Sequence, residues 1–167
     1  VFQGMSMFSL MAIPFFILAG ELMNKSQITQ TIISFANSLV GHIRGALAHV
    51  NIVSSIFFAG ITGAAVADTA ALGTIMIPAM VKEGYEEDFS AAVTISSSII
   101  GPIIPPSIVM VIYGVTMKES IAALFAAGFV PGLMIGFALM LVSYITARER
   151  GYGRKKRTSM MEIVRQG

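Results

Sequence analysis

The chain contains no cysteine, only two histidines, and few charges: Asp, Glu, Lys and Arg make up 12% of its 167 residues. Without thiols it can form no disulfide, thiolate metal site or cysteine nucleophile. His42 and His49 have no second histidine or carboxylate at metal-ligand spacing, so they read as interfacial or packing residues. No nucleophile elbow, Walker loop, dinucleotide fingerprint or pair of catalytic acids is present. The sequence therefore gives no support for an enzyme or for a bound organic cofactor. Val1 to Gly20 lacks a basic n-region and an Ala-x-Ala cleavage pattern, so it does not read as a signal peptide. A first residue other than Met suggests a chain cut from something longer.

What is abundant is apolar surface. Hydrophobic residues make up 55% of the chain, mean hydropathy is +0.80, and the charges sit in clusters between long uncharged runs. That pattern is a membrane protein's. A hydrocarbon layer of roughly 30 Å needs about 20 apolar residues per helix, and the runs ending at Gly20, Ala67, Met117 and Ala147 reach that length. Arg148, Arg150, Arg154, Lys155, Lys156, Arg157 and Arg165 follow the last run. Beside a spanning helix they read as the cytoplasmic flank of the positive-inside rule rather than as a nucleic-acid patch.

The expected organisation is all-α and polytopic. Residues 1–24 hold a first spanning helix, Met5 to Met23, with Pro14 kinking it and Glu21 and Lys25 marking its exit. Residues 25–44 hold an interfacial amphipathic helix whose Ile28, Ile32, Phe35, Ala36, Leu39 and Val40 recur at spacings of three and four. Residues 45–82 form two short apolar halves around GITGAAVAD, a re-entrant hairpin or, equally compatible with topology, two full crossings. Residues 83–118 contain a polar loop, KEGYEED, and then a spanning helix broken at SSIIGPIIPPS. Residues 119–148 return across the membrane with Gly128, Gly132 and Gly136 as a close-packing face. Residues 149–167 are the basic tail. Placing that tail inside puts both hairpin ends, His42 and Arg44 on the same side.

The two interruptions carry the chemistry. A lipid-buried carbonyl without a partner costs several kcal/mol, so broken helices persist where protein, water or an ion completes the bonding. Continued as helix, Pro102, Pro105 and Pro106 would fail to donate to the carbonyls of Ser98, Gly101 and Pro102. With the hydroxyls of Ser97 and Ser98, these make a cluster of hard oxygens at a negative helix end, suited to Na⁺. Beyond the break, N–H groups near Ser107 and Ile108 suit a carboxylate. The hairpin repeats this logic: its first half is expected to end near Phe58 to Gly60, Thr62 adds a hydroxyl, and the second half starts around Ala64 to Asp68. Asp68 is the one charge between Gly45 and Val81, either a cation ligand or a helix-start partner. Two interrupted spans close in sequence point to a secondary transporter's binding site. A structural or assembly protein whose breaks only shape packing is the alternative.

AIPFFILAGELM (Ala12 to Met23), GHIRGALAHVNI (Gly41 to Ile52), FAGITGAAVADTAALGTIMIPAMVKEGY (Phe58 to Tyr85) and IIGPIIPPSIVMVIYG (Ile99 to Gly114) resemble, in this order, the large transmembrane subunit of tripartite ATP-independent periplasmic (TRAP) transporters. The resemblance implies an elevator-type, Na⁺-coupled symporter in a bacterial or archaeal inner membrane. Its expected cargo is a C4-dicarboxylate, sialic acid or similar carboxylate. Its expected partners are a periplasmic substrate-binding protein and a small membrane subunit, without nucleic acid. An ion-coupled carrier lacking a binding protein is a related reading. The expected Na⁺ ligands are Gly60, Thr62, Asp68, Ser97, Ser98, Gly101 and Pro102, and the expected substrate residues are Thr62, Gly63, Pro106, Ser107 and Ile108. The family tip often reads G-x-S-G-S; here Ala64 replaces the second hydroxyl. Family members carry an extra first helix and a second, inverted half, so this sequence is expected to be an N-terminal-half fragment.

Overall fold

A computed structural model of the protein describes residues 12–26 and 28–152. Among these residues there are seven helices and no strand: α1 Ala12–Lys25, α2 Ile28–Val40, α3 Ala46–Thr62, α4 Ala65–Lys82, α5 Glu87–Ser98, α6 Ile108–Met117 and α7 Ile121–Glu149. Met5 to Met11, Gln27 and the tail beyond Tyr152 lie outside the described residues. Two helices, α4 and α7, are long and apolar enough to cross a membrane by themselves.

α3 is the centre of the bundle. Twelve of its residues are buried, because α1, α2, α4, α5 and α7 all pack on it. Its partners' directions follow from paired residues. Asn51 bonds Met80 and Thr62 bonds Asp68, so α3 and α4 run antiparallel. Asn51 bonds Thr94 and Ser55 bonds Ser97, so α3 and α5 run parallel. That parallel pairing has a positional consequence: α5 stops at Ser98, near the level of Ile56, and α3 continues about 9 Å past it to Thr62.

α7 shows how little contact a spanning helix needs. Of its 29 residues the buried ones are Gly128, Gly132, Gly136, Ser143 and Ala147, all small, while Phe129, Met134, Phe137 and Leu141 are exposed. The expected glycine face is present and it seats specific partners. A Cβ on Gly132 would stand 2.3 Å from Ile104, and one on Gly136 would stand 2.8 Å from Ile56. Gly45 similarly sits against Ala147, so α7 runs antiparallel to α3.

α2 departs from a simple interfacial helix. Ala36 is buried and Ile32, Ile33 and Val40 pack with it on the α3 core, whereas Ile28, Phe35 and Leu39 are exposed. Its apolar stripe is wider than one contact: Phe35, though half-exposed, still meets Phe57 of α3 edge-on. At the far end of α4, Tyr85, Phe89 and Tyr152 form an aromatic cluster, with Arg150 paired to Glu86.

Candidate functional site

The first arm of the hairpin ends later than the sequence suggests. α3 continues through Phe58 to Gly60 and stops at Thr62, because Gly63 takes a left-handed conformation (φ 61°, ψ 15°) and returns its N–H to the Ala59 carbonyl. Gly63 and Ala64 alone join the arms, and α4 begins at Ala65. The Ala59 carbonyl is engaged by the Gly63 amide, and the Phe58 carbonyl lies 3.3 Å from the Thr62 hydroxyl, whose one proton is shared with Asp68.

The second interruption is a nine-residue break, 99–107, between α5 and α6. Its proline-released carbonyls do not all stay unpartnered. Ser98 O accepts from Gly101 N at 3.0 Å, and Pro102 O accepts from the Ser107 hydroxyl at 2.7 Å. Each keeps a second lone pair. α6 starts at Ile108 rather than at Pro105, with Ser107 as its cap: the Ser107 hydroxyl accepts from Met110 N at 3.2 Å. Ser107 is fully buried. The Ile108 N–H lies next to the hairpin tip, 3.2 Å from where a Gly63 Cβ would stand.

The two interruptions meet. A Cβ built on Gly63 would stand 2.5 Å from Pro106 O and 3.2 Å from Ile108 N; one on Gly101 would stand 3.0 Å from Asp68 Oδ2 and 3.1 Å from Ser98 O. The tip's backbone thus rests on the start of α6, and the break rests on Asp68 at Gly101. Gly60 lies at the edge, exposed, with Pro105 O 4.0 Å from its Cβ position. α1 closes one side, since a Cβ on Gly20 would stand 3.4 Å from Thr62.

Asp68 is the centre of this arrangement. It is wholly buried; its Oδ1 accepts a hydrogen bond from Thr62, and its Oδ2 has no hydrogen-bond partner. The remaining expected ligands face a polar seam. Ser97 shares a 2.8 Å hydrogen bond with Ser55 and also bonds Thr94 O, while Ser98 donates to Thr94 O at 2.8 Å. Sequence reasoning missed the α3 side of that seam: Asn51, Ser54 and Ser55 are buried, and Asn51 Oδ1 and Ser54 Oγ have no partner. The signal was available. Polar residues at 51, 54 and 55 and at 90, 94, 97 and 98 fall on single helix faces within apolar runs.

A bundle of long apolar helices, with two interrupted segments closing on a buried acid, defines a polytopic membrane protein with a polar site inside it. Residues 1–166 match the family model described as the tripartite ATP-independent periplasmic transporter, DctM component. The sialic acid TRAP transporter large permease of Vibrio cholerae is 48% identical over 159 residues, covering 95% of this chain and 37% of that protein. The sialic acid TRAP transporter permease of Haemophilus influenzae is 49% identical over 156 residues, covering 93% of this chain and 25% of that protein. For the C4-dicarboxylate large permease of Pseudomonas aeruginosa the figures are 41% over 162 residues, 97% and 38%. The chain belongs to the DctM family of TRAP transporter large permeases, and it spans little more than a third of the large permeases' length.

Proposed function

We propose that this chain forms part of the transport site of a secondary active transporter, an Na⁺-coupled importer of small organic anions in an inner membrane, with its basic tail on the cytoplasmic side. The observation that carries this reading is the meeting of hairpin tip and helix break around Asp68, whose unpartnered Oδ2 and the Ser98 carbonyl both approach Gly101. A carboxylate oxygen and a carbonyl with a spare lone pair are hard ligands, and the end of α5 adds partial negative charge. Gly60, Thr62, Ser97, Gly101 and Pro102 are the further oxygen sources in this reading. The start of α6 below Gly63, with Pro106, Ser107 and Ile108, supplies the opposite dipole end for an anion.

The proposal includes a re-entrant hairpin. α3 runs about 26 Å from the level of Ala147, whereas α7 runs about 43 Å, and the break touches α7 at Gly128 and Gly132. The tip therefore ends part-way along α7. Relatives named for sialic acid, C4-dicarboxylate, 2,3-diketo-L-gulonate and isethionate support an organic anion as cargo. By the same relationship the proposal includes a periplasmic binding protein, a small membrane subunit and elevator-type movement.

Asp68→Asn tests it. Asparagine keeps the volume and the bond from Thr62 but removes the charge. Na⁺-dependent uptake in proteoliposomes is expected to show at least a tenfold weaker apparent Na⁺ affinity, about 1.4 kcal/mol, with insertion unchanged. An unaltered Na⁺ dependence would remove Asp68 from the site.

A further inference from the structure

At the end of the bundle away from the tip, the α2–α3 turn and the last turns of α7 enclose a recess of about 540 Å³ lined by His42, Ile43, Arg44, Tyr144 and Arg148. Two arginines distant in sequence share it because Gly45, at φ 76°, turns the chain so closely onto Ala147 that a Cβ would stand 2.6 Å from it. No acidic side chain lines the recess. Among the described residues Arg150 pairs with Glu86, and no carboxylate lines the recess beside Arg44 and Arg148.

The surface leading to the recess is apolar. Leu141, Tyr144 and Ile145 follow Phe137 at spacings of four, seven and eight on one stripe of α7, all exposed, and Arg148 continues that stripe. An acyl chain laid along it reaches the arginines with its headgroup, beside Tyr144, whose apolar ring and hydroxyl match a membrane boundary. Basic pockets between spanning helices at the membrane surface suit anionic headgroups. We propose that this recess binds an anionic phospholipid of the adjacent leaflet, its phosphate held by Arg44 and Arg148 and its chain lying on the Phe137–Ile145 stripe. The site is separate from the tip and the break, about 26 Å away along α3.

Native mass spectrometry of the intact protein released from membranes, titrated with phosphatidylglycerol or cardiolipin against phosphatidylcholine, tests the assignment. Anionic lipid is expected to be retained preferentially. Arg44→Gln and Arg148→Gln should each weaken that retention about fivefold and the pair about 25-fold, while phosphatidylcholine retention stays unchanged. Both side chains are exposed, so glutamine is accommodated, and an unchanged melting temperature checks the fold. Lysine at both positions should keep most of the binding. Equal retention by the double glutamine variant overturns the proposal, as does equal retention of phosphatidylcholine. Displacement of the lipid by millimolar inorganic phosphate also overturns it, by marking a plain anion site.

Discussion

Gly60 and Gly63 lie within one turn of each other, yet alanine should have opposite effects at the two positions. Gly60 is helical and its nearest non-local atom would be 4.0 Å from a new Cβ, so Gly60→Ala gains helix propensity and should leave thermal stability in detergent unchanged or slightly raised. Gly63 is left-handed, and a Cβ would press on the Pro106 carbonyl at 2.5 Å. The conformation alone costs an L-residue about 1–2 kcal/mol, and the clash adds to it. Gly63→Ala should therefore lower the melting temperature and separate tip from break, while membrane insertion, set by apolar length, persists. Equal melting curves for the two variants would contradict the contact described here. Asp68 shows what a single residue reveals in sequence. Its isolation in an uncharged run marked it for attention, but its partner Thr62 and its position against Gly101 depend on where two distant segments fold.

Among elements, the seam between α3 and α5 sets the level at which the two interruptions meet. Its Ser55–Ser97 hydrogen bond should give a coupling of about 0.6 kcal/mol in a double-mutant cycle with alanine, measured by unfolding in bicelles, as is usual for interhelical bonds in membranes. Gly132→Leu should act more strongly, because Ile104 already occupies that space; displaced, the break loses its seat and uptake falls while α7 still inserts. The break itself was legible because three prolines within five residues release more carbonyls than a helix can lose. Pro78 and Pro131 lie inside α4 and α7 without ending them: one missing donor is tolerated where three are not. The late end of α3 was harder to read. Gly60 and Gly63 are alike in sequence, and only the turn onto Pro106 selects the second as the stop. Ser107 likewise gives no sign by itself that its hydroxyl closes α6 rather than facing a ligand.

For the whole molecule, the bundle predicts sidedness. Gly45 against Ala147 and Tyr85 against Tyr152 gather the start of α3, the α4–α5 loop and the end of α7 at one end, whereas Glu119, between α6 and α7, belongs to the other. The absence of cysteine makes labelling direct. With an impermeant maleimide on intact spheroplasts, Glu119→Cys should react, and Glu87→Cys should react only after the membrane is opened. Labelling of both from the same side would refute the arrangement. The glycine stripe of α7 has one further consequence. Glycines at 128, 132 and 136 are notches about 6 Å apart along the helix axis, and bulky isoleucines of the break and of α3 sit in two of them. Each notch is already filled, so α7 is held in one register against the break and α3, and a larger residue at any of the three must displace protein rather than lipid.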